Sequence, residues 1–164
     1  MKQITSLFIL LLSLCSCLET EMQSKVIIPE PLSTETSKGH FDLNQTIKVY
    51  TNLQGEEKEM VLDYINHNLN AEITENRSLA NFLLLLNDKF INEAYTLNIT
   101  PHNIEINANG GQGIFYGIQS LLQLINGSTD KTLSSLVIND SPRFRYRGFM
   151  LDVSRHFASV DFIK

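Results

Sequence analysis

Between Thr96 and Ala108 apolar and polar residues alternate twice, on either side of a Pro101-His102-Asn103 break. Leu97 and Ile99 alternate with Thr96, Asn98 and Thr100, and Ile104, Ile106 and Ala108 alternate with Glu105 and Asn107. Successive side chains of a strand point to opposite faces, so a period of two marks two strands with one buried face each. Turn chemistry between them predicts an antiparallel hairpin. A sheet with one apolar face needs a layer to cover it, and the flanking sequence supplies two amphipathic helices.

The first helix starts at Gly55. Glu56, Glu57 and Glu59 occupy its first turns, where negative charge suits the helix dipole, and Met60, Val61, Tyr64, Ile65 and Leu69 share one face. The second places Ile114, Ile118, Leu121, Leu122 and Ile125 on one face and ends at Gly127. Further strands are predicted at Val26 to Ile28, closed by Pro29, and at Phe41 to Leu43 and Ile47 to Tyr50, parted by an Asn44-Gln45 turn. The apolar run from Asn81 to Leu86 predicts a strand buried on both faces, and Leu133 to Ile138 a last one. Residues 25–140 thus read as one α+β domain, an antiparallel sheet with two helices packed on it. At roughly 115 residues it is large enough for a core of its own.

The N-terminus reads as an export signal. Lys2 precedes an apolar run from Leu7 to Leu14, too short to span a bilayer as a helix. Leu14-Cys15-Ser16-Cys17 has the form of a bacterial lipobox, with small Ser16 before Cys17. Residues 1–17 are then a lipoprotein signal peptide, Cys17 the lipidated residue, and 18–24 a tether. The protein is expected in the bacterial cell envelope, held at the membrane by its lipid anchor or in the periplasm. The plainer reading is an ordinary secretory signal, with both cysteines discarded. Either way the folded body has no cysteine, which excludes disulfides, thiol nucleophiles and zinc–thiolate sites. Net charge is −5, and −6 without Lys2 (12 basic against 18 acidic residues). With no basic run to meet phosphates, nucleic acid is not an expected partner.

Few residues present chemistry. Gly111-x-Gly113-x-x-x-Gly117 follows a strand and opens a helix, yet its third glycine comes one residue late for a dinucleotide loop, and the strand belongs to a hairpin. Tight helix–sheet packing is the expected role. His40, His67, His102 and His156 have no metal-ligand spacing, and no metal or cofactor is expected. Arg143, Arg145 and Arg147 alternate with Phe144 and Tyr146 as a solvated face, with Arg147 structural. An apolar strand, Phe149 to Val153, carries Asp152 and runs into Ser154-Arg155-His156. Arg155 would stand beyond the strand's C-terminal end, where its rigid fork of donors suits two adjacent acceptors. The alternative for Arg155 is a salt bridge to Asp152 or another carboxylate.

Two phrases in this order resemble the β-N-acetylhexosaminidases of glycoside hydrolase family 20. One is Gly113-Ile114-Phe115-Tyr116-Gly117-Ile118-Gln119-Ser120-Leu121-Leu122-Gln123-Leu124; the other is Arg147-Gly148-x-Met150-Leu151-Asp152-x-Ser154-Arg155-His156. Ile28-Pro29-x-Pro31 and Tyr95-x-Leu97-x-Ile99 add to the likeness. The resemblance implies that 25–140 is the small N-terminal domain and 141–164 the start of a catalytic TIM (β/α)8 barrel, truncated after its first strand. It further implies hydrolysis of terminal non-reducing N-acetylhexosamine by a substrate-assisted retaining mechanism, on a glycan ending in GlcNAc or GalNAc. Arg155 would hold the 3- and 4-hydroxyls of that sugar, with Asp152 and His156 supporting. The acid–orienter Asp-Glu pair of the family has no counterpart, since the chain contains no Asp-Glu dipeptide. No catalytic residue is therefore expected, and the chain should be inactive alone. The other reading is a non-catalytic surface-anchored module that binds glycan or protein.

Overall fold

A computed structural model describes residues 27–91, 93–154 and 157–163. Seven strands form one sheet: β1 (Ser33–Asp42), β2 (Lys48–Thr51), β3 (Glu72–Ile73), β4 (Phe82–Leu86), β5 (Tyr95–Ile99), β6 (Ile104–Ala108) and β7 (Thr132–Asp140). Their spatial order is β1-β7-β5-β6-β4-β2-β3. Two long helices, α1 (Gly55–Leu69) and α2 (Gly111–Asn126), pack on it and on each other. A single turn, α3 (Val160–Ile163), lies near the C-terminus.

The α+β class and the two packed helices are as the patterning predicts, whereas the sheet is mixed rather than antiparallel. β1, β7, β5 and β6 pair antiparallel; β6 with β4, β4 with β2, and β2 with β3 pair parallel. The cause is the α1 crossover. A strand–helix–strand connection returns its second strand parallel to the first, so β2-α1-β4 forms a βαβ unit. β6-α2-β7 is a split version with β5 between its strands.

Phe82, Leu84, Ile104, Ile106, Leu97 and Ile99 face the helices and are essentially inaccessible to solvent. Ile114, Ile118 and Leu121 of α2 and Val61 and Ile65 of α1 cover them. Leu62 is buried and Met60 exposed, the reverse of the expected helix face. Leu122 and Ile125 are only partly buried, and Leu124 closes the stripe in their place. Gly127 caps α2, but with φ −79° in ordinary right-handed geometry; the left-handed cap belongs to Asn70 on α1 (φ 46°).

Two predicted strands do not form. At Ile27 and Ile28 the chain is irregular, because the Gln123 side chain takes both backbone groups of Ile28 that a neighbouring strand would need. Val26 lies outside the described residues. Phe149 to Val153 is likewise irregular, with Phe149 86% and Met150 88% exposed. Among the described residues no adjacent strand satisfies its backbone, and a lone strand is not stable in water. Conversely, β1 starts eight residues before Phe41. Its Ser-Thr-Glu-Thr-Ser-Lys stretch is polar on both sides because it forms an edge of the sheet. Gly39 (φ +112°) sits at the β1–β7 register shift, where a Cβ would meet Pro101 Cγ at 2.6 Å.

Candidate functional site

The glycines of α2 set the geometry of the surface above them. A Cβ on Gly113 would stand 2.7 Å from both the Ala94 carbonyl oxygen and Ala108 Cβ, and one on Gly117 would stand 2.6 Å from Ile106 Cγ2. This is the close helix–sheet packing expected of the Gly111-x-Gly113-x-x-x-Gly117 spacing. It draws α2 onto β5, β6 and the loop before β5. Tyr116, Gln119 and Gln123, spaced i, i+3 and i+7, then share one outward face.

That face is the floor of an open cleft of about 620 Å³. Ile28, Pro29 and Glu30 form one wall, and residues 140–144 with Arg147 form the other. The Gln123 amide donates to the Ile28 carbonyl at 3.0 Å and accepts from its N–H at 2.9 Å, as a strand partner would. Asp140 Oδ1 accepts from the Leu32 N–H at 3.2 Å. The entering chain is therefore fastened both to α2 and to the end of β7.

The leaving chain is held by Arg147. Its Nη2 donates to Glu93 Oε2 at 2.5 Å and to the Tyr116 hydroxyl at 3.1 Å, and its Nη1 donates to the Phe144 carbonyl at 2.6 Å. The guanidinium also lies 5.8 Å from the Tyr116 ring centroid, within cation–π range. Its charged form is favoured, chiefly by the Glu93 hydrogen bond. Tyr116 is braced in turn: its ring abuts Phe115, whose ring packs on Tyr64, and Tyr64 accepts from Gln119 at 2.7 Å. Beneath the floor, Tyr95 shares a 2.5 Å hydrogen bond with Ser120, and burial pushes its phenol up to about 12.

Asp152, expected to support a sugar-binding arginine, is exposed, and its Oδ1 accepts from the Ser154 N–H at 2.8 Å. Arg155, His156 and Cys17 lie outside the described residues. His40, His67 and His102 are exposed and far apart in sequence, and among the described residues no cluster of three His, Cys, Asp or Glu could hold a metal. Arg143, Arg145 and Arg147 are all exposed, and Arg147 has the structural role expected of it, through Glu93, Tyr116 and Phe144. The roles of Glu93 and Gln123 were not legible from residue type. The i, i+3, i+7 spacing of Tyr116, Gln119 and Gln123 was the available signal.

Two helices packed on a seven-stranded mixed sheet is an arrangement this chain shares with solved glycoside hydrolases. The N-acetyl-beta-hexosaminidase of Streptomyces plicatus aligns over 84% of this chain and 30% of its own, with TM-score 0.68 and 26% identity. The Bacteroides fragilis beta-N-acetylhexosaminidase shares the fold with TM-score 0.74 over 85% of this chain and 29% of its own, at 24% identity. The chain belongs to glycosyl hydrolase family 20, whose domain 2 matches residues 25–141. Among curated relatives, a beta-hexosaminidase of Porphyromonas gingivalis is 31% identical over 94% of this chain, and one of Vibrio vulnificus is 31% identical over 84%. The chain spans 23% and 16% of their lengths, respectively.

Proposed function

We propose that this chain is the small N-terminal domain and barrel entrance of a β-N-acetylhexosaminidase that removes terminal non-reducing N-acetylhexosamine from glycans. The observation that carries this reading is the segment after β7. From Phe144 to Ile163 it exposes ten large apolar side chains, among them Phe149, Met150, Phe157 and Phe162. An apolar stretch this long, left in water, is built to be covered by further polypeptide. In the proposed enzyme Phe149–Val153 becomes a buried barrel strand, and Arg155 beyond its end holds the sugar hydroxyls. The substrate's 2-acetamido oxygen attacks the anomeric carbon, oriented by an aspartate, while a neighbouring glutamate protonates the leaving oxygen. That pair is not among these residues. Cys17 would anchor the protein in the bacterial envelope, with 18–24 as its tether.

In the cleft over α2, three of the polar side chains are already engaged within the fold. Gln123 spends both amide ends on Ile28, Gln119 donates to Tyr64, and Arg147 is committed to Glu93 and Tyr116.

The test is hydrolysis of an aryl N-acetyl-β-glucosaminide. The 164-residue chain should give no turnover, and a protein extended to the relatives' length should turn over. In the latter, Arg155→Ala should lower kcat/KM roughly 10- to 150-fold, the loss of a charged donor to a hydroxyl. Turnover by the 164-residue chain, or unchanged kinetics in a folded Arg155→Ala enzyme, would overturn the assignment.

A further inference from the structure

We infer that Glu93, Tyr116 and Arg147 form a joint that sets where the chain leaves the small domain, making Arg147 a positioning residue for the segment carrying Asp152 and Arg155. The joint itself is read from geometry; its positioning role rests on the reading of that segment as the substrate side of a hydrolase.

Three features separate this contact from an incidental surface pair. The partners come from three elements: the loop before β5, helix α2 and the segment after β7. Two of them are locked together, because Gly113 packs directly against the Ala94 carbonyl, one residue from Glu93. Glu93 also has a positive φ of 63°, a conformation that side-chain-bearing residues adopt at a cost and that a surrounding structure must hold. Its carboxylate is only a quarter exposed and receives the Arg147 guanidinium. The same guanidinium closes back on Phe144, turning the backbone just before the Gly148 position.

The consequence is one of reach. An extended chain covers at most about 3.4 Å per residue, so Asp152, five residues beyond Arg147 and twelve beyond Asp140, is held within about 17 Å of the joint rather than about 41 Å of β7. It also fixes the direction of departure.

Limited chymotrypsin digestion of the 164-residue chain tests the joint without requiring activity, the readout being cleavage after Phe144, Tyr146 and Phe149. Glu93→Gln and Tyr116→Phe should each speed cleavage there several-fold while leaving amide protection across 95–125 as in wild type. The swapped pair Glu93→Arg with Arg147→Glu should recover part of the resistance. Cleavage rates that are equal in wild type and Glu93→Gln overturn the joint. The positioning role is tested in the protein extended to the relatives' length, where Glu93→Gln should raise KM several-fold with little change in kcat. Faster cleavage with unchanged KM overturns that role. Absence of all turnover in the wild-type extended protein counts instead against the hydrolase reading and leaves the joint standing.

Discussion

Gly113 rests against Ala94 so closely that a single methyl group would stand 2.7 Å from the Ala94 carbonyl oxygen. The obstacle is backbone, which cannot swing aside as a side-chain tip can. This one contact seats α2 on the sheet and ties it to the loop that carries Glu93.

Gly113→Ala should therefore destabilise the domain by about 1–3 kcal/mol, the usual cost of overpacking. Gly117→Ala should cost less, because its nearest obstacle is an Ile106 methyl. At Gly110, the N-cap of the same helix, a Cβ meets nothing within 4 Å. Gly110→Ser should be neutral or stabilise by a few tenths of a kcal/mol. Urea denaturation of the three variants gives the ranking directly.

Gln123→Ala should remove both hydrogen bonds to Ile28 and free the entering chain. Each such bond is worth about 0.5–1.5 kcal/mol, with the partly solvated setting favouring the low end. The Ile28 amide should exchange faster, and the buried Ile27 next to it should loosen. Gln123→Glu should lose only the bond to the Ile28 carbonyl at neutral pH, since a carboxylate accepts from the Ile28 N–H but cannot donate.

Tyr95 predicts a loss of stability in base. Its phenol titrates near 10 when unfolded and is pushed up to about 12 in the fold, first by burial. Above pH 10 the unfolded chain releases a proton that the folded one retains, so stability falls as pH rises from 10 through 12. Tyr95→Phe should remove this part of the pH dependence. It should also cost about 1–3 kcal/mol at neutral pH by leaving the Ser120 hydroxyl unpaired. Urea midpoints between pH 8 and 12 for the two proteins measure both effects.

The anchor makes a separate prediction. If Cys17 carries lipid, membrane partitioning should vanish in Cys17→Ser and persist in Cys15→Ser, because buried acyl methylenes contribute about 0.8 kcal/mol each. Fractionation of cells expressing each variant reads this out. Equal loss in both variants would sink the lipobox assignment.

The elements written most clearly in the sequence are those whose side chains face two different environments. β5 and β6 alternate buried and half-buried residues along their whole length, and that contrast is what a period of two records. β1 escapes notice up to His40 because an edge strand meets solvent on several sides, so its polar residues carry no alternation. Parallel pairing of β2 with β4 follows from the α1 crossover, a rule of connection rather than of residue type. Asp152 is legible as a polar residue on an apolar stretch. The Glu93–Arg147 contact spans 54 residues and depends on where Gly113 lets α2 settle, so no local pattern announces it.

Gln123 and Tyr116 lie seven residues apart on one helix, about 10 Å along its axis. One grips the incoming chain at Ile28 and the other steadies Arg147 on the outgoing chain. Tension between the two ends of the domain thus crosses two turns of α2 before it reaches the strands. The bonds that yield first are the Gln123–Ile28 pair and the Arg147 contacts, and only then does the pull pass to β1 and β7 at the Ser33–Asn139 end of their ladder.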